Sequence, residues 1–192
     1  MAKTLDELRE KLSECRGCGL CESRTNVVFG TGCPSPGILL IGEGRGKNED
    51  EQGEPFVGRS GQLMDKMLEY VGLSRKENIY IANIVKCRPP QNRDPAPEEI
   101  SACIGHLREQ TALINPRIIV CVGRISACTV ISKDFKVTKD HGVFYKRGNY
   151  LLMGTFHPAA LLRNPALKGP ALEDMLLLRA KAEELGLLPR RD

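Results

Sequence analysis

Four short runs of apolar, often β-branched residues mark out the chain: GILLIG at 37 to 42, NIYIANI at 78 to 84, RIIVCV at 117 to 122 and YLLMGT at 150 to 155. None alternates apolar with polar, so none suits a strand with one wet face, and each reads as a central strand covered on both sides. Between them the pattern turns helical. Thr4 and Glu7 form a capping box that opens a helix in MAKTLDELREKL; Ser60 is placed to cap LMDKMLEYV, with Gly72 as its stop. Pro97 opens a helix with Glu98 and Glu99 in its first turn, a shorter helix follows Gly123, and Pro170 opens ALEDMLLLRAKAEEL, closed near Gly186 and Pro189. Strand then helix, repeated, predicts an α/β fold of three αβα layers around a central, mostly parallel four-stranded sheet. The KRGNY turn at 146 to 150 can add a small antiparallel hairpin before the last strand.

At 192 residues the chain suits one domain with a substantial core. No apolar run is long enough to span a bilayer, and the opening helix is not an export signal, which points to a cytoplasmic protein. A net charge of +4 admits an anionic partner such as nucleic acid without demanding one. Eight cysteines without a signal peptide argue for metal ligation over a disulfide framework. Cys121 and Cys128 lie in apolar runs and read as small core residues. Cys15, Cys18 and Cys21 form CxxCxxC, which by spacing alone resembles a ferredoxin-type cluster loop, and Cys87 and Cys103 stand far along the chain.

In open parallel sheets ligands bind beyond the carboxyl ends of the strands, so residues there are read together. Gly42, Glu43 and Gly44 follow the first strand, Asn83 ends the second, and His157 leads FHPAALLRNP after the fourth. The first of these segments, GEGRGKNEDEQGEPFVG, has the glycines of a phosphate cradle, but its five carboxylates would repel a phosphate. Phe56 closes it. An aromatic face, an amide, an imidazole and a carboxylate at one rim suit a flat heterocycle, with glycines letting the backbone approach the ring.

With these residues in view, the chain resembles the family 4, iron–sulfur branch of the uracil-DNA glycosylase superfamily. The resemblance runs through CxxC at Cys15 and Cys18, GExxG with its trailing acid pair at 42 to 50, and GxPFVGxxGQL from Gly53 to Leu63. It continues in YIxNIVKCRPPxNR at 80 to 93 and HPAxLLRNP from His157 to Pro165. It implies a 4Fe–4S cluster on Cys15, Cys18, Cys87 and Cys103, with Cys21 and Cys33 unmatched bystanders. Zinc is the rival occupant of four cysteines, although Cys87 and Cys103 lack a paired knuckle. A structural cluster would tie the N-terminal helix to the loop from 87 to 103, whose Arg88 and Arg93 meet a DNA backbone.

The resemblance also implies the chemistry: uracil is flipped from single- or double-stranded DNA and its N-glycosidic bond hydrolysed, giving free uracil and an abasic site. Phe56 stacks on the ring and Asn83 accepts from N3–H and donates to O4, a pattern that cytosine reverses. His157, neutral, donates to O2 of the leaving anion, helped by backbone N–H groups near Gly44. Glu43 orients the attacking water, and Glu49, or else Asp50, crowds the uracil 5 position against thymine. Leu162 or Arg163 fills the gap left by the flipped base.

Two departures stand out. Arg45 replaces the usual proline and can reach a phosphate, and Gly44 stands where some superfamily relatives carry an aspartate. A non-catalytic or self-trapping uracil-DNA binder is the alternative, but a trap needs a nucleophile near the sugar, and no histidine lies between Cys87 and Cys103. A nucleotide-binding redox protein is a third reading, without a phosphate loop to support it.

Overall fold

The computed structural model describes residues 2 to 190 except Arg45. Arg45, for which a phosphate contact was expected, therefore lies outside the described residues. The four apolar runs form β2 (Ile38–Gly42), β3 (Ile79–Asn83), β4 (Ile118–Val122) and β6 (Tyr150–Thr155), all mutually parallel where they pair. Two short antiparallel edges complete them, β1 (Thr31–Gly32) against β3 and β5 (Phe144–Arg147) against β6. The sheet thus has six strands, not four, in the order β1-β3-β2-β4-β6-β5. The hairpin expected at KRGNY is the β5–β6 pair.

Side-chain alternation along the strands divides the core into two faces. Leu39, Ile41, Tyr80, Ile119 and Cys121 pack with Cys103 and Leu107 of α4 (Pro97–Ile114) and with Ala127 of α5 (Arg124–Val130). Ile38, Leu40, Ile81, Val120 and Met153 pack with Met64 and Leu68 of α3 (Arg59–Tyr70) and Met175 and Leu178 of α8 (Lys168–Glu184). Both faces of every central strand are therefore dry, as their continuous apolar runs require. These are the three layers expected.

At α1 (Leu5–Ser13) the Thr4 hydroxyl accepts from the Glu7 N–H, while Glu7 reaches back to the Lys3 N–H. The expected cap at Ser60 is corrected: α3 begins at Arg59 with Gly58 as its cap residue, and Ser60 lies inside the first turn. Two segments for which no helix was expected are short helices, α2 (Lys47–Gln52) in the acidic stretch and α7 (Pro158–Arg163) after His157. A further short helix, α6, spans Val137–Asp140, and α8 starts two residues before Pro170. Among the described residues no helix is long and apolar enough to cross a membrane.

Candidate active site

Gly42 and Asn83 are register partners at the carboxyl ends of adjacent parallel strands. Asn83 is 1% exposed, and neither its Nδ2 nor its Oδ1 has a hydrogen-bond partner. Leaving a buried polar atom unsatisfied costs on the order of 1–3 kcal/mol, so this amide offers a donor and an acceptor, side by side, to a planar polar partner. Gly42 makes its space. A Cβ there would lie 2.4 Å from Asn83 Oδ1 and 2.6 Å from the Phe56 ring.

Phe56 is held in place against its own backbone preference. Its φ is 55°, a left-handed value unfavourable for a bulky residue. Three contacts over-determine it. Arg75, paired with Asp65, donates to the Pro55 and Phe56 carbonyl oxygens, each at 3.0 Å. Glu49 Oε1 accepts from the Val57 and Gly58 N–H groups at 3.0 and 2.8 Å. Gly61 leaves room for the Phe56 carbonyl, which a Cβ would strike at 1.8 Å. Neither Arg75 nor Gly61 was singled out from the sequence, although Gly61 lies inside the GxPFVGxxGQL motif.

His157 follows β6 and caps α7: its Nδ1 accepts from the Ala159 N–H at 3.1 Å. Burial, with a smaller push from Arg163, lowers its pKa to about 4, so the ring is neutral near pH 7. With Nδ1 an acceptor, the single ring proton belongs on Nε2, and the imidazole is a donor toward the cleft. Gly123, at φ 94°, lies where a Cβ would come within 2.9 Å of the His157 Cβ.

Glu43 is half-buried at the mouth of the same cleft. Burial first, then the neighbouring Asp94 carboxylate within hydrogen-bonding reach, raises its pKa to about 7, while Arg124 pulls the other way. Arg124 Nη2 in turn holds Asp94 Oδ2 at 2.6 Å. Sequence reasoning passed over this pair. Arg124 stands just past β4, where the same strand-end rule would have found it; Asp94 carries no local signal, since only the fold brings its loop to Glu43.

The cleft measures ≈ 850 Å³, and Glu43, Gly44, Glu49, Phe56 and His157 share its wall. Arg59, Arg93, Arg124 and Arg163 also border it, giving the opening a basic rim. Arg93 additionally forms a two-pronged pair with Glu99 at 2.6 and 2.8 Å, which fixes its loop to the start of α4. Arg88 is placed differently from Arg93: its Nε donates to Asn92 Oδ1 at 2.8 Å. On α7, Leu161 is buried and Leu162 is 40% exposed. Asp50 is turned away from the cleft, accepting from the Thr25 and Asn26 N–H groups.

A second cavity gathers the cysteines. Cys15, Cys18, Cys87 and Cys103 line it together with apolar Leu12 and Ala102, and Cys21 shares its wall. Donors face the sulfurs: Arg24 Nη1 reaches Cys87 Sγ and the Lys86 N–H reaches Cys103 Sγ, each at 3.3 Å. Among the described residues no three His, Cys, Asp or Glu side chains converge as the donors of a single ion would. The thiols line a cavity instead of meeting at a point. Burial pushes the Cys103 and Cys18 thiols up. Cys121 is fully buried in β4 and Cys128 packs against the core, as their apolar surroundings predict.

The model of the Uracil DNA glycosylase superfamily matches residues 29 to 180, most of the chain, and the chain belongs to that superfamily. Within it, the chain is similar to proteins named Type-4 uracil-DNA glycosylase. That of Sulfurisphaera tokodaii is 41% identical over 197 residues, covering 98% of this chain and 87% of its own. That of Thermotoga maritima is 43% identical over 180 residues, 90% of this chain and 93% of its own. That of Archaeoglobus fulgidus is 38% identical over 174 residues, 86% of this chain and 87% of its own.

Proposed function

We propose that this chain, a uracil-DNA glycosylase of DNA repair, takes a uracil turned out of the helix into the cleft lined by Phe56 and His157, against the corner where Gly42 and Asn83 meet Phe56. There it hydrolyses the N-glycosidic bond, releasing free uracil and leaving an abasic site. The Asn83 amide carries this reading: a buried donor and acceptor side by side, both without partners, match the O4 and N3–H of uracil and mismatch cytosine.

Phe56 stacks on the ring. As the bond to the sugar breaks, its electron pair leaves with uracil, and the His157 Nε2–H, with backbone N–H groups near Gly44, stabilises the charge gathering on O2. Glu43, ionised, orients the water that adds to the sugar carbon and offsets the positive charge there; the proton the water loses on adding balances the one the uracil anion takes up as it leaves as free uracil. Glu49 holds the Phe56 turn with Oε1 and narrows the cleft on the side assigned to the uracil 5 position. Leu162 or Arg163 fills the vacated stack, and Arg93 meets the backbone, with Arg88 supporting that loop through Asn92. We place the enzyme in the cytoplasm as a monomer acting on uracil in single- or double-stranded DNA.

Cys15, Cys18, Cys87 and Cys103 fit a 4Fe–4S cluster: four thiols around one cavity, with N–H donors aimed at sulfur. When bound, the cluster would tie the segment after α1 to the loop at Cys87 and to α4 at Cys103, which lies in that helix and not in a loop, and it would take no part in the hydrolysis.

The test is incubation of the protein with an oligonucleotide carrying one uracil, followed by alkali. Scission at the uracil position alone supports the reading; an intact strand that stays bound to the protein would favour a uracil-DNA binder.

A further inference from the structure

A cluster held by four thiolates carries net negative charge, and a protein that buries it needs fixed donors and positive charge nearby. Two side chains beside the cysteine cavity meet that need. Arg24 spans two separate ligand segments with one guanidinium: Nη1 donates to the Cys15 carbonyl at 2.7 Å and to Cys87 Sγ at 3.3 Å, and Nη2 donates to the Ser13 carbonyl at 3.2 Å. Lys86 lines the same cavity and is only 2% exposed, which is rare for a lysine. Its ammonium is fixed by Gln110 Oε1 at 2.7 Å, and Gln110 is itself anchored to the Phe29 carbonyl at 3.0 Å. A bland role exists for Arg24, since basic side chains commonly cap the last carbonyls of a helix such as α1. A cap alone, however, has no reason to reach the thiol of Cys87, which belongs to a separate segment.

We propose that Arg24 and Lys86 are the residues that grip and charge-balance the cluster: Arg24 clasps the N-terminal ligand segment to the Cys87 thiolate, and Lys86 supplies a second fixed positive charge. The inference rests on the cluster assignment above. Positive charge and N–H donors at the sulfurs favour the more negatively charged, reduced oxidation level, so both residues raise the cluster's reduction potential. Arg24 also slows loss of the cluster in air.

The experiment uses the iron-loaded full chain and three variants, Arg24→Gln, Arg24→Lys and Lys86→Met, read by midpoint potential and by the rate at which visible absorbance fades in air. Arg24→Gln and Lys86→Met are expected to shift the potential to more negative values, and Arg24→Gln to fade several-fold faster. Arg24→Lys keeps the charge, so its potential stays near that of the parent; its single ammonium cannot reproduce the three-pronged grip, so it fades faster. An unchanged potential and fading rate in Arg24→Gln would reduce Arg24 to a helix cap and overturn the proposal. Should Arg24→Gln refuse iron altogether, Lys86→Met decides, and an unmoved potential there overturns it. A parent protein that is colourless and iron-free would instead sink the cluster assignment itself, a separate outcome.

Discussion

The Phe56 and His157 rings lie 5.6 Å apart, centroid to centroid, with their planes tilted by 31°. One comes from a strained turn after α2 and the other from the end of β6, so elements distant in sequence bring the two rings into contact on one wall of the cleft.

Gly42 leaves the space between Asn83 and Phe56 unfilled. Gly42→Ala would thrust a methyl group to 2.4 Å from Asn83 Oδ1 and 2.6 Å from the Phe56 ring. Single-turnover excision of uracil should fall by roughly 100-fold, as expected of a displacement of about an ångström in a reacting site. Overpacking this buried corner should also cost about 1–3 kcal/mol of stability, so excision is compared at a temperature where both proteins are folded. Full activity in this variant would mean that the base does not occupy the Gly42–Asn83 corner.

The pH dependence follows from two groups with opposite shifts. Glu43 must be ionised to orient water, and its pKa is raised to about 7, so kcat/KM should rise with pH up to about that value and then level off. His157 must be neutral at Nδ1, and with a pKa of about 4 it does not titrate across the working range. Asp94→Asn removes a carboxylate facing Glu43 and frees Arg124 to act on it, so the acid limb should move to lower pH. Profiles of the two proteins on one single-stranded substrate provide the check; superimposable limbs would show that Glu43 is not the group seen.

Much of this was legible in the chain and some was not. The central strands were legible because being buried on both faces demands continuous apolar runs, and Asn83 and His157 were legible because they sit at the ends of such runs. The cap of α3 was misplaced because its cap residue, Gly58, has no side chain for a local capping rule to recognise; Glu49, nine residues earlier, holds the Gly58 N–H instead. Edge strand β1, two residues long, has no pattern to read. α7 was hidden because histidine is an unusual cap, although Pro158 after it is a common first helical residue. Asp94 and Arg75 act on residues far away in sequence, and only packing reveals them.

The exposed face of α7 carries the wedge prediction. Leu162→Ala with Arg163→Ala should slow excision most from paired duplex and least from single strands, where little stacking must be broken. The two substrates are compared at matched salt, because removing Arg163 also weakens phosphate contacts. An equal loss on both would assign the helix to shaping the pocket.

For the metal, the purified protein should be brown with about four irons per chain. Cys87→Ser or Cys103→Ser should bleach and destabilise it, while Cys21→Ala should keep its iron even though Cys21 shares the cavity wall. Iron loss in Cys21→Ala, or stoichiometric zinc in the parent, would redraw the ligand set.

The Asn83 amide is the centre of the account, and its replacement is the most direct measurement. Excision of uracil from a single-stranded oligonucleotide by Asn83→Ala, under single-turnover conditions, should be at least roughly two orders of magnitude slower than in the parent, since the recognition pair and its share of transition-state stabilisation vanish together. Asn83→Asp sharpens the reading: an ionised carboxylate there should lose uracil and favour the donor edge of cytosine, whereas a protonated one should still accept uracil. Unchanged uracil kinetics in Asn83→Ala would contradict the account, because the only buried side-chain amide found without partners among the described residues would then be reading nothing.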